Sequence, residues 1–388
     1  MNKNQQIQMI QRLIKQHEGQ ESELPEHFTK ISTNRYTDLQ ELELEQMALF
    51  RELPIIVAHT SEISESGNYV CEEVNGVPLI ILRDFDGDVQ VFVNACRHRG
   101  ARLLERDHGN CKRLLVCPYH AWSYKLNGQL KGVPEKESFG EMDFSQSDLV
   151  PVQFAEEFGY VWVVLAGNAA EKLDVRTALG KELSRDFDNF GFSKQIVHKK
   201  VSTLNDCNWK LVMDAFAEGY HLKSLHKDSL SRFFLKANIH DDCFPHIRQL
   251  GGRKSLLEEV KKNPHDWNFR LNTTLFYNVF PNTVFVFHPH WVSQMSLFPD
   301  GPNKVKVVHR MVIEEQPANA EVKEKLDASF QHIQSQVFEK EDLAISVSIQ
   351  STLASGVNQE FTIGGMEEGM RIFHKARDFY IDSFRNRD

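Results

Sequence analysis

Four residues in two short stretches have the types and spacing to hold a metal group. "CRHRG" supplies Cys96 and His98; eighteen residues later "CPYH" supplies Cys117 and His120. A single Cys or His is ordinarily core packing, so the repeated pairing is what matters. Two thiolates and two imidazoles serve either a tetrahedral zinc or a two-iron, two-sulfur cluster with mixed ligation. Zinc fingers usually place their cysteines together and their histidines together. Here each loop supplies one of each, which suits two loop tips closing over a cluster, both thiolates on one iron and both imidazoles on the other. Cys111 lies between the pairs, fits neither, and reads as structural.

A second set lies further on. In "DAFAEGYHLKSLH", His221 and His226 are five apart. On a regular helix that separates them by about 140°, so one ion requires a distorted turn or a helix end between them. Asp214, Glu218 and His221 fall at i, i+4 and i+7, on one face. Two acids at that spacing repel by about 0.2–0.5 kcal/mol on a bare helix. Facing inward they cost more unless a cation, a proton or a histidine N–H compensates. A third ligand is offered by the stripe Phe338, Asp342, Ile345 and Ile349, spaced 4, 3 and 4 apart. Its single carboxylate, facing inward, needs a partner, whereas Glu339 and Glu341 beside it read as solvated. Two histidines and one carboxylate form the facial triad of a non-haem Fe(II) oxygenase.

The elements that must position these residues follow from turn chemistry and periodicity. "TDLQELELEQMALF" (37–50) reads as a helix capped by Thr37 or Asp38, with Leu39, Leu42, Gln46 and Leu49 down one side. From Pro54 to Leu165, Asn75-Gly76, Asp86-Gly87 and Asn127-Gly128 separate apolar runs, the signature of consecutive hairpins, with "FGYVWVVLAG" as a closing strand. Beyond residue 168 the pattern is mixed. A helix is expected over 208–226, strands broken by Pro281 and Pro289, and a long helix over 320–355. This is an α+β layout, a small antiparallel β module inserted before a domain of antiparallel sheet covered by helices. The totals agree: 388 residues suit two domains, and a net charge of −9 without a basic tract argues against nucleic acid or an anionic membrane as partner. No run nears the roughly 18 apolar residues of a membrane span. The N-terminus lacks a signal-peptide pattern, and six sparse cysteines do not make a disulfide scaffold, so the expected compartment is the cytoplasm.

The spacing in "CRHRG" and "CPYHAW" resembles the Rieske [2Fe-2S] signature. "NWKLVMDAFAEGYHLKSLH" is similar to the catalytic-iron motif of Rieske non-haem iron oxygenase α subunits, of ring-hydroxylating type. The likeness extends to "YTDLQELELEQMALFRELPIIVAH", "FPNTVFVFHPHWV" and "MEEGMRIFHKARDFY". It implies a Rieske domain over 54–167, a catalytic mononuclear-iron domain over 168–388, and an N-terminal helical segment over 1–53 packing on the latter. It also implies a [2Fe-2S] cluster on Cys96, His98, Cys117 and His120, and Fe(II) on His221, His226 and Asp342. The assembly implied is a homotrimer, with or without a β subunit, in which Glu218 links a cluster histidine of one subunit to an iron histidine of the next. Many relatives carry Asp there; Glu resembles the subgroup oxidising quaternary ammonium compounds. Asp214 is expected at the catalytic centre, tuning the iron or taking a hydrogen bond behind it, with Tyr220 and Asn208 as supports.

The implied activity is that of a terminal oxygenase using O2 and external electrons to hydroxylate a small organic, aromatic substrate. Oxidative demethylation or quaternary-ammonium monooxygenation is the alternative within the family, and a Rieske electron carrier the alternative outside it. No G-x-G-x-x-G or flavin motif is present, so a separate NAD(P)H-dependent reductase, with or without a ferredoxin, must supply electrons. Phe276, Tyr277, Phe285, Phe287 and Trp291 are the expected pocket aromatics, and Arg248 and Arg310 the cations available to an anionic substrate.

Overall fold

Hairpin turns and alternating apolar residues dictate the first of two compact units, Phe50–Ala178 with Gly191–Ile196, in the computed structural model, which describes residues 1–20 and 28–387. Asn75 and Gly76 adopt positive φ between the strands Asn68–Val74 and Val77–Arg83, as a tight hairpin requires. These two join Val89–Val93 and His108–Asn110 in a four-stranded antiparallel sheet. Leu115–Val116, Ser123–Tyr124 and Leu130–Gly132 form a second sheet, and Gln153–Glu157, Tyr160–Val164 and Ile55–His59 a third. Between them Leu115, Trp122, Tyr124, Ile80 and Leu82 are almost fully buried, so the loops bearing the cysteines stand on a rigid base.

The second unit comprises Met1–Leu49, Leu179–Phe190 and Val197–Asp388. Its centre is a seven-stranded antiparallel sheet in the order Ile196–Asn205, Val305–Ile313, Val292–Pro299, Thr283–Phe287, Thr273–Val279, His246–Arg253, Phe234–Cys243. Because side chains alternate along a strand, each strand feeds two faces. On one face Tyr277, Phe285 and Phe287 pack against Phe187 and Phe190 of the helix Val175–Phe190. Arg248 bonds Asp186 of that helix at 2.8 Å, and Arg310 bonds Gln294 at 3.1 Å. The opposite face, which includes Phe276, Val286, Ser293, Met295 and His309, lines a cavity of about 1000 Å³. Of the five aromatics expected in a pocket, only Phe276 and Trp291 are there, and neither expected arginine is. The period of two sends the others to the far side.

Helical regions close the unit. Lys3–His17, within the segment expected to be helical over 1–53, is N-capped by Asn2 and buries Met9, Ile10 and Leu13; Arg12 bonds Asp241 at 2.7 Å. The helix expected over 37–50 is Leu39–Glu45, capped by Asp38, followed by a wider π turn over Gln46–Arg51. Leu39, expected on the buried side, is exposed, while Glu45 is buried between Lys210 (2.7 Å) and Arg377 (2.6 Å). The long helix is Ala320–Gln331 and Ala344–Leu353 with a π stretch, His332–Leu343, between them. That wider turn breaks the expected stripe: Phe338 and Asp342 are buried but Ile345 is 41% exposed. No helix among the described residues is long and apolar enough to cross a membrane.

Candidate metal centres

In the first unit two loops share one backbone design. Cys96 N–H donates to Ala101 O and Gly100 N–H to Cys96 O, both at 2.8 Å. Cys117 N–H donates to Trp122 O at 2.8 Å and Ala121 N–H to Cys117 O at 3.0 Å, the same two links five and four residues along. The fifth residue of each loop has positive φ, +76° at Gly100 and +58° at Ala121. Glycine takes that conformation freely; alanine there is strained. The design buries both cysteines (3% exposed) and leaves His98 half-buried and His120 exposed. The imidazole centroids are 4.8 Å apart; His98 stacks on Trp122 and His120 lies against Tyr119, itself under the Arg99 guanidinium. Arg97 N–H donates to Tyr124 Oη at 3.0 Å, and that oxygen lies 3.3 Å from Cys96 Sγ, to which its proton would go once the sulfur is a thiolate. Burial pushes the Cys96 thiol above its ordinary pKa, and Arg99 and His98 add to desolvation in holding His120 below its own. Cys111 is buried in the same core, its thiol pushed up to about 11 by burial.

In the second unit the helix Trp209–Phe216 ends before the histidines, so Asp214, Glu218 and His221 do not share a regular helical face. Ala217 caps the helix, and Gly369 of the closing helix Glu368–Arg385 packs so tightly on it that a Cβ would lie 2.0 Å from Ala217 O. Past this stop the chain turns, and a short 3₁₀ segment at His221–Lys223 brings His221 and His226 together with ring centroids 5.0 Å apart. The helix end is the break that the five-residue spacing requires.

Each histidine is held by a carboxylate at Nδ1. His221 Nδ1 donates to Glu218, whose other oxygen accepts the Tyr220 and His221 backbone N–H groups. His226 Nδ1 donates to Glu341 at 2.6 Å, and Ser229 Oγ donates to the same oxygen at 2.6 Å. With the protons on Nδ1, both Nε2 lone pairs face Asp342 Oδ1, from 3.1 Å (His226) and 3.8 Å (His221). Asp342 Oδ1 is buried and accepts no hydrogen bond. Acceptors facing one another at such distances repel unless a proton or a metal cation lies between them. One ligand atom from each of the three lies within 4.8 Å of the others, the only such group among the described residues. That donor set fits a single Fe(II). In the metal-free protein burial lowers the His226 pKa, but Asp342 and Glu341 outweigh it and the net shift is upward. The two cysteines and two histidines of the other unit do not converge in this way, which fits a two-iron cluster better than a lone zinc ion.

Three expectations need correcting. Glu341, read as solvated, is the His226 partner, because the π stretch turns it inward with Asp342. Asp214 does not line the cavity: it accepts from Tyr36 Oη (2.7 Å) and lies 3.0 Å from His374 Nε2, joining two distant segments. Burial, then Asp214, raises the Tyr36 pKa well above its usual value. Tyr220 is exposed, and Asn208 caps its helix and bonds Tyr36 O and Pro302 O, so neither side chain supports the histidines. Reasoning from the sequence also missed a buried chain: His288 donates to Ser293 (3.0 Å), Ser293 to His309 (2.9 Å), His309 to Gln334 (2.6 Å) and Gln334 to Glu339 (2.8 Å). The Glu339 carboxylate fixes every direction in it. Burial holds His309 down to about 4 and His288 well below its usual value.

The chain is similar to known proteins. The family described as ring hydroxylating alpha subunit (catalytic domain) matches residues 187–383, and the Rieske [2Fe-2S] domain matches 54–151. The carnitine monooxygenase oxygenase subunit of Escherichia coli (strain K12) is 32% identical over 202 residues, 52% of this chain and 53% of that protein. The glycine betaine monooxygenase oxygenase subunit of Chromohalobacter salexigens is 32% identical over 256 residues, 65% of this chain and 54% of that protein. The chain thus spans about half the length of the curated relatives it matches. A quaternary ammonium Rieske monooxygenase shares the fold with a TM-score of 0.79 at 22% identity, over 90% of this chain and 95% of that one. Naphthalene 1,2-dioxygenase from Rhodococcus sp. does so with a TM-score of 0.77 at 21% identity, over 96% and 98%.

Proposed function

Since the chain belongs to the ring-hydroxylating α-subunit family and carries a Rieske [2Fe-2S] domain, we propose that it is the terminal oxygenase of a multicomponent system that hydroxylates a small organic substrate with O2. The observation that carries this reading is Asp342 Oδ1, buried without a hydrogen bond and faced by two Nε2 lone pairs at the wall of a large cavity. When bound, the cluster supplies one-electron transfer and the Fe(II) supplies oxygen activation. Cys96, His98, Cys117 and His120 would hold the cluster, and His221, His226 and Asp342 the iron. Glu218 and Glu341 hold the imidazole protons at Nδ1, which fixes each ring and raises its basicity as a ligand. The apolar wall formed by Phe276, Val286, Met295 and Phe338 excludes water from the reacting carbon. Asp214 acts only at a distance, by anchoring the helix that leads into the metal-binding turn.

Electrons come from a separate NAD(P)H-dependent reductase, directly or through a ferredoxin, in the cytoplasm. Three copies of the chain form a trimer, with or without a β subunit, in which Glu218 joins His221 to a cluster histidine of the neighbouring copy. Within the oxygenases, quaternary-ammonium oxidation is the second reading. It is supported by the carnitine and glycine betaine oxygenase subunits among the relatives and by Glu at position 218.

Iron analysis is the first test: three irons per chain support an oxygenase, and two leave only an electron carrier. Oxygen uptake with a generic reductase, comparing aromatic acids with methylated amines, then separates the two substrate readings. Glu218→Gln should keep both centres loaded and nearly abolish turnover; unchanged steady-state activity would remove the bridge.

A further inference from the structure

The cavity that carries His221, His226 and Asp342 also carries a guanidinium with no acid opposite it. Arg253 is the last residue of the strand His246–Arg253, half-buried, and lines that cavity. Its Nε makes one long hydrogen bond, 3.4 Å to Thr273 O, and its carbon lies 5.5 Å from the Phe234 ring. No carboxylate among the described residues forms an ion pair with it. Two other buried arginines of this unit meet acids: Arg248 meets Asp186 at 2.8 Å and Asp241 at 2.9 Å, and Arg377 meets Glu45 at 2.6 Å.

Two of the cavity's carboxylates are engaged by the histidines and two are exposed. Glu218 and Asp342 serve the histidines, and Glu314 and Glu315 stand exposed at the rim. Burial lowers the Arg253 pKa with no acid to offset it. Guanidinium does not lose its proton in proteins, so the charge remains and four N–H donors stay available. Arg270 adds a second positive charge close by: burial, opposed by Glu314 and aided by Arg253, pushes it down to about 10. His288, held neutral by burial and then by the positive charges near it, adds no further positive charge. An uncompensated charge on a cavity wall is costly unless a ligand supplies the counter-charge.

We propose that Arg253 is the anchor for an anionic group of the substrate, and that the substrate is an organic carboxylate whose apolar body extends along Phe276, Val286 and Met295 toward the metal centre. A planar guanidinium matches a carboxylate bidentately, so it fixes the orientation as well as the affinity of the ligand. The inference rests on reading the cavity as the oxygenase site, but it is tested by binding, which does not require turnover.

Titration calorimetry on the iron-loaded protein would use benzoate, 3-phenylpropanoate and hexanoate, each beside its amide. At least one acid should bind about thirtyfold or more tightly than its amide, and Arg253→Gln should remove that preference. Arg253→Lys should restore part of it, with the cluster absorbance unchanged in both variants. Should Arg253→Gln not fold, the acid–amide ratio in the wild type and the loss in Arg253→Lys decide. Equal binding of acids and amides, no binding of any acid, or an acid preference that survives Arg253→Gln overturns the proposal. Carboxylate binding without oxygen uptake on any substrate would overturn the oxygenase reading and leave Arg253 as an anion site.

Discussion

The two proposed metal centres hold their candidate ligands by different means. Around Cys96 and Cys117 the backbone sets the geometry, through two loops closed by the same pair of hydrogen bonds, with the histidines left toward solvent. Around His221, His226 and Asp342 the geometry is set by side chains: two carboxylates orient two imidazoles, and a third carboxylate waits opposite. A backbone site tolerates changes to neighbouring side chains but not to its turn geometry. A site built from charged side chains should show the reverse sensitivity.

The largest expected effect breaks the second centre outright. Asp342→Ala should take iron from three to two per chain and end oxygen uptake while the cluster absorbance stays unchanged; retention of the third iron would show that another carboxylate serves. Acid should sharpen the contrast. His309 titrates at about 4 when folded, against about 6.5 unfolded, so the unfolded chain binds more protons between those values. Its contribution is complete above pH 6.5 and falls by about 3 kcal/mol as pH drops to 4. Denaturant titrations against pH should show that loss in the wild type and a flatter profile in His309→Gln.

Glu341→Gln keeps the size of the side chain but weakens its hold on His226, and should cost about 10–100-fold in iron affinity, measured by chelator competition. Tyr124→Phe is the counterpart at the cluster. Losing a donor to Cys96 should lower the reduction potential without changing iron content, because that hydrogen bond favours the more negative reduced state. The smallest effect comes from Ala121→Gly. Relief of its left-handed conformation should stabilise the first unit by about 1 kcal/mol in thermal unfolding, and no gain would mean the loop itself carries no strain.

How these centres are built explains what could be read from the chain. Cys96, His98, Cys117 and His120 lie in two stretches whose local turns bring them to the loop tips, so spacing alone carries the pattern. The Asx-Gly hairpins beneath them were legible for the same reason. Four strands of the catalytic sheet, between Thr273 and Ile313, were also visible, broken by Pro281 and Pro289, but not which face each residue took; Ile196–Asn205, Phe234–Cys243 and His246–Arg253 were not read as strands. A one-residue change of parity separates Phe276 in the cavity from Tyr277 in the core. Glu341 was hidden by its helix: regular geometry turns it to solvent, and only the π stretch brings it inward. Arg253 was hidden because its distinction is a missing partner, and absence has no motif.

The triangle of Tyr36, Asp214 and His374 bears on the order of assembly. It ties residues 178 and 160 positions apart in the chain. Closing loops of that length is entropically late, since the chain gains nothing until both ends have arrived. Docking of the final helix should therefore precede the last ordering of the turn bearing His221 and His226, and with it the completion of the proposed iron site.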